Sequence, residues 1–168
     1  MGKSLGFLRS GEEVFDRENS HLKLSDELIK EVLGRISSEG RSFIEREVEF
    51  GEIVGQTICV ETKAFDKIVY ARRPKRIGHS KFVLGHSSEF CSSVFVALKV
   101  GNKWGEYILC TGFVGEKPQP EPWDWKYFSK QKNPQEAKEK AIDFWKNHAL
   151  VWGSEEVITG TEVIVCPW

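Results

Sequence analysis

The chain has 168 residues, 40% of them hydrophobic and 29% charged, with a formal net charge of −1. That length fits a single domain over residues 1–168, and the near-neutral balance excludes a protein whose whole surface binds nucleic acid. Four cysteines (Cys59, Cys91, Cys110 and Cys166) show no CxxC spacing and no neighbouring histidine cluster, so no metal is expected.

Residues 1–22 are polar and weakly patterned, and are expected to wrap the surface or stay mobile. The "GKS" at 2–4 lacks the upstream glycine loop of a phosphate-binding P-loop. The first strong element is "KLSDELIKEVLGRISSEG". Ser25 is a good N-cap, Asp26 and Glu27 complement the helix dipole, and Leu28, Val32 and Ile36 form one apolar stripe. A helix over about 26–38 follows, with Gly40 as its stop.

The period then changes to two. Alternation at Ile44, Arg46, Val48 and Phe50, then a denser run from Ile53 to Val60, predicts two strands or one long hairpin. "DKIVYA" and "HSKFVL" each read as a short strand. "SSVFVALKV" and "EYILCTGFVG" read as a hairpin turning at Gly101-Asn102. "EKPQPEPWDW" holds three prolines and is a stiff loop. "KNPQEAKEKAIDFWKNHALVW" predicts a second helix, with Asn133 as cap and Pro134 at N1. "EEVITGTEVIVCPW" predicts a last strand. The order helix, strands, helix, strand gives an α+β fold: a curved, mainly antiparallel sheet with two main helices packed on it. No apolar run reaches the roughly 20 residues of a membrane span, and no signal peptide is evident, so a cytoplasmic protein with no membrane partner is expected.

The chemistry-bearing candidate is "YARRPKRIGHSKFV". Arg72, Arg73 and Arg76 lie in a basic loop suited to holding phosphate. His79 and Lys81 follow on a strand, on one face and about 7 Å apart by strand geometry. With Phe82 facing the core, both would be exposed. A histidine titrating near neutrality beside a cation suits RNA cleavage without a cofactor: the imidazole moves the proton and the cation steadies phosphorane charge. A solvated charged turn is the plainer reading. Thr111, in "LCTGF", would need a partner for a buried hydroxyl. His148 reads as a packed histidine on the second helix, and His21 and His86 fall in loops. Glu61 is either a base facing the basic cluster or an ion-pair partner of Arg72 or Arg73. The tryptophans of "PEPWDW" would either stack bases or cover a core edge.

"GHSKFV", the following Ser93 and "YILCTGFVG" together resemble ribonuclease domains of the barnase, EndoU, colicin and RelE type. "TGFVGEKPQPEPWD" with "FWKNHALVW" is also similar to a group of uncharacterised bacterial and phage-type proteins. The resemblance spans residues 44–152. It implies helices preceding a four- or five-stranded antiparallel sheet, with His79 and Lys81 as catalytic residues and Thr111 beside them. The expected function is RNA binding, with metal-independent endoribonuclease activity. The alternative is a non-catalytic interaction domain that uses the basic loop 72–81 or the Trp-rich loop 118–125 to bind an acidic protein partner.

Overall fold

A computed structural model describes residues 2–17 and 24–168. His21 lies outside the described residues. The elements in chain order are β1 (Ser4–Phe7), β2 (Glu13–Asp16), α1 (Asp26–Leu33), β3 (Phe43–Glu49), β4 (Gly55–Thr57), β5 (Cys59–Glu61), β6 (Ile68–Arg72), β7 (His79–Val83), β8 (Glu89–Cys91), β9 (Ser93–Val100), β10 (Glu106–Val114), α2 (Trp125–Phe128), α3 (Pro134–Lys146) and β11 (His148–Val151). The fold is α+β. One sheet is expected from the sequence, whereas the strands form sheets of five, four and two, the smallest being β4 with β8. Length predicts one domain, and the chain gathers into two compact units: residues 1–56 with 90–117, and residues 57–89 with 118–168.

The first unit holds the five-stranded sheet in the order β1-β2-β10-β9-β3. β9 pairs antiparallel with β3 and β10, while β2 and β10 run parallel. β1 and β2 lie in the segment expected to be mobile. Leu5 and Val14 are buried there because they join the apolar face beneath α1. Ser25 caps α1, its Oγ accepting from the Leu28 N–H at 3.2 Å. Ile29, Val32 and Leu33 then face Val94, Val96 and Leu98 of β9 in one core, each side chain contributing about 1.5–3 kcal/mol of burial. The helix ends at Gly34, not near Gly40. Gly34 is a poor helix residue, and the chain tightens as Arg35 N–H bonds Val32 O and Ile36 N–H bonds Leu33 O. Ile36 is still buried, which keeps the apolar stripe going past the helix end.

The second unit holds the four-stranded sheet β5-β11-β7-β6. β6 and β7, the two short strands expected from the sequence, pair antiparallel, Arg72 opposite His79 and Tyr70 opposite Lys81. The predicted second helix stops at Lys146. His148–Val151, read as helix from the sequence, is β11, antiparallel to β5 and parallel to β7. The predicted C-terminal strand is reduced to one bridge, in which Val163 and Tyr70 exchange backbone hydrogen bonds at 2.8 Å each way. α2 is an additional short helix, capped by Asp124 and anchored by the fully buried Phe128.

Candidate nucleic-acid interface

The strand β7 places His79 and Lys81 differently from the expected exposed pair. Lys81 is 6% exposed. Its ammonium donates to the Trp145 carbonyl at 2.7 Å and the Lys146 carbonyl at 3.1 Å. These are among the last carbonyls of α3, which have no partner inside the helix. Lys81 therefore closes the C-terminus of α3, where a cation also suits the helix dipole. Burial lowers its pKa, opposed by the nearby Cys166. The expected open face for Lys81 is corrected accordingly: its ammonium is turned to the protein. His79 is half-buried and its Nε2 lies 3.1 Å from the Thr161 carbonyl oxygen, so that nitrogen carries the proton and donates.

Thr111 belongs to the first unit, and His79 and Lys81 to the second. The expectation of a buried Thr111 hydroxyl is also corrected. A register shift between Leu109 and Thr111 changes the phase of β10, so Leu109 faces the core and Thr111, opposite Ala97, is exposed. His148 opens β11 rather than lying on the helix. Its ring stacks on Phe144 at 3.9 Å between centroids, and Nδ1 meets the Phe144 carbonyl at 2.8 Å. Glu61 is opposite His148 and exposed. The ion-pair partner of Arg73 is Glu121.

The basic loop is a braced turn. Arg76 N–H bonds the Arg73 carbonyl at 3.1 Å, with Pro74 and Lys75 at the corner. Two of the three predicted phosphate ligands are braces. Arg72 donates through Nη2 to the Arg76 carbonyl at 2.9 Å, and its backbone N–H goes to Thr161 Oγ1 at 3.0 Å. Arg73 donates through Nε to Ser80 Oγ at 2.9 Å and through Nη2 to Glu121 Oε2 at 2.7 Å. Only Arg76 of the three presents its side chain to solvent. Lys75 joins it as a cation that sequence reasoning left out of the site. Lys75 sits at φ 64°, a left-handed conformation that costs a side-chain-bearing residue about 1–2 kcal/mol.

The braces tie this turn to the Trp-rich loop. Besides the Arg73–Glu121 ion pair, Gly78 lies flat against Trp123, and a Cβ at position 78 would overlap that ring. Trp123 covers the turn, while Trp125 is 57% exposed and Ile77 74% exposed. Exposed side chains flank these contacts on both segments: Lys75, Arg76 and Ile77 on the turn, and Trp125 and Lys126 just beyond Trp123 on the loop side. The second unit holds thirteen Lys and Arg against eleven Asp and Glu, and the first eleven against fourteen. The near-neutral total conceals a basic unit and an acidic one.

Among the described residues, no group of three or more His, Cys, Asp or Glu side chains is placed to hold a metal ion. None of their helices is long and apolar enough to cross a membrane. Cys59 is half-buried, and burial, with the Glu121 and Glu89 charges, pushes its thiol up to about 12.

No family model and no curated protein matches this chain. A crystal structure of a conserved hypothetical protein from Toxoplasma gondii ME49 is similar in fold. Its TM-score is 0.53 at 11% identity, covering 80% of this chain and 89% of that one.

Proposed function

We propose that the protein binds single-stranded RNA through the basic and aromatic surface of its second unit. The observation that carries this reading is the locked pairing of the basic turn with the Trp-rich loop through Arg73–Glu121 and Gly78–Trp123, which sets a basic segment beside an aromatic one. Single-stranded RNA needs both: cations to follow phosphates, and aromatic faces on which any base stacks. Lys75 supports the reading further. A strained corner residue with an outward ammonium is costly to keep unless the charge is used.

Binding is favoured over cleavage because Lys81, the expected charge-stabilising partner of His79, spends its ammonium on two carbonyls. A ribonuclease of the barnase, EndoU, colicin and RelE type stays the second reading, with His79 as its proton-transfer residue.

Competition experiments test both. Labelled oligo(U) is titrated with wild type, Trp125→Ala and Gly78→Ala, against unlabelled poly(U) or polyglutamate, and RNA integrity is followed with EDTA present. Wild type is expected to bind, to leave the RNA intact, and to lose at least several-fold affinity in either variant. Equal competition by polyglutamate would replace RNA with an acidic protein partner. Cleavage that His79→Ala abolishes would restore the nuclease.

A further inference from the structure

We propose that a cleft at the start of α3 is a nucleotide subsite, taking one base and its phosphate from the same RNA strand. This rests on the RNA reading above. The cleft has a volume of about 660 Å³, within the range of small-molecule sites. Pro120 and Gln119 form one wall and Tyr127 of α2 another; Gln131, Lys132 and the first two turns of α3, with Lys140 and the carboxylate of Glu136, complete the lining.

Buried anchors fix these walls. Trp145, 2% exposed, donates through Nε1 to the Gln119 carbonyl at 3.0 Å and the Pro120 carbonyl at 3.1 Å, holding the proline-rich segment in place. Fully buried Phe128 fixes α2 and meets the Tyr127 ring edge-on. Asn133 caps α3, its Oδ1 accepting from the Glu136 N–H.

The lining chemistry matches a nucleotide. The Tyr127 ring offers a stacking wall. Among the described residues, the Gln119 amide and the Lys132 ammonium have no hydrogen-bond or ion-pair partner, so the first is open to a base edge and the second to a phosphate. Lys140 holds only an exposed pairing with Glu136 at 3.5 Å, the kind worth little in water. Trp125 and Tyr127 lie on the same short helix. Two residues apart on a helix, their rings project to different faces, so the cleft offers an aromatic wall separate from the Trp125 face.

The test has two independent arms. In the first, isotope-labelled wild type is titrated with each nucleoside 5′-monophosphate and followed by NMR. Shifts are expected at Tyr127, Gln131 and Lys132 and at the Gln119 side-chain amide. In the second, oligo(U) affinity is measured for Tyr127→Ala, Tyr127→Phe and Lys132→Ala, with thermal melts as folding controls. Tyr127→Ala is expected to weaken binding about ten-fold, while Tyr127→Phe, which keeps the ring, stays near wild type. Nucleotide shifts elsewhere, or none, together with wild-type affinity in Tyr127→Ala, would overturn the subsite. If charge reversal at Lys75 and Arg76 weakens RNA binding and the cleft variants do not, the subsite is wrong and the RNA reading survives. If RNA fails to bind but the monophosphates still shift the cleft, the RNA reading is wrong and the subsite holds for free nucleotide.

Discussion

Lys75 and Lys81 stand six residues apart and put their charges to opposite uses. Lys75 accepts a left-handed backbone at the corner of a turn and holds its ammonium outward. Glycine would adopt that conformation without strain. Lys75→Gly is therefore expected to raise stability by up to about 1 kcal/mol, read by denaturant unfolding, while RNA binding weakens. Lys81 holds its ammonium inward on the end of α3. Lys81→Met keeps the chain length and strands two carbonyls. The expected cost is about 1–3 kcal/mol, seen as a melting temperature lower by several degrees. A melt unchanged in Lys81→Met would return that ammonium to solvent and reopen its catalytic role. Period-two reasoning correctly set His79 and Lys81 on a strand but gave Lys81 the wrong surroundings. The carbonyls it binds lie 64 and 65 residues away in sequence, and no local pattern encodes that pairing.

At the scale of elements, strand and helix identity was mostly legible and helix ends were not. Ser25 and Asn133 cap the two longer helices as their sequences indicate, because capping is a local interaction. α3 ends where Lys81 arrives from β7, and "HALV" becomes a central strand between β5 and β7. Both outcomes depend on distant partners. The N-terminal hairpin was missed for the same reason. β1 and β2 are only four residues each, with one core side chain apiece (Leu5 and Val14), and are held by the sheet and by a Ser10–Glu12–Ser38 cluster. Ser10 and Ser38 both donate to the Glu12 carboxylate, Ser38 at 2.6 Å. Burial pushes the Glu12 carboxyl upward, and the bonds from Ser10, Ser38 and its own backbone more than offset this, so its pKa falls below the usual 4.5. A carboxylate with a depressed folded pKa adds stability above its unfolded value, and loses it as pH drops through the folded one. Stability of the wild type should thus decline as pH falls below about 4.5, and Glu12→Gln should flatten that part of the profile in acid titrations followed by circular dichroism.

For the whole molecule, charge is the property that composition hid. A formal −1 is the sum of a basic unit and an acidic one. The exclusion of a nucleic-acid-binding surface over the entire chain is compatible with one localised on the second unit. The candidate site was half legible. The sequence marks "YARRPKRIGHSKFV" and "PEPWDW" as separate features, and only the fold joins them, through Arg73–Glu121 and Gly78–Trp123. The division of labour among the arginines was not legible, since it depends on Ser80, Glu121 and Thr161 being close in space.

The most direct test of RNA binding by this surface is the salt dependence of oligo(U) affinity, measured by fluorescence anisotropy for wild type and the Lys75→Glu, Arg76→Glu double variant. Each phosphate contact on a single strand contributes about −0.7 to the slope of log affinity against log salt. The double variant should bind more weakly at every salt concentration, with a slope shallower by about 1.4. Equal affinity and equal slope for the two proteins would contradict the assignment of RNA to this turn.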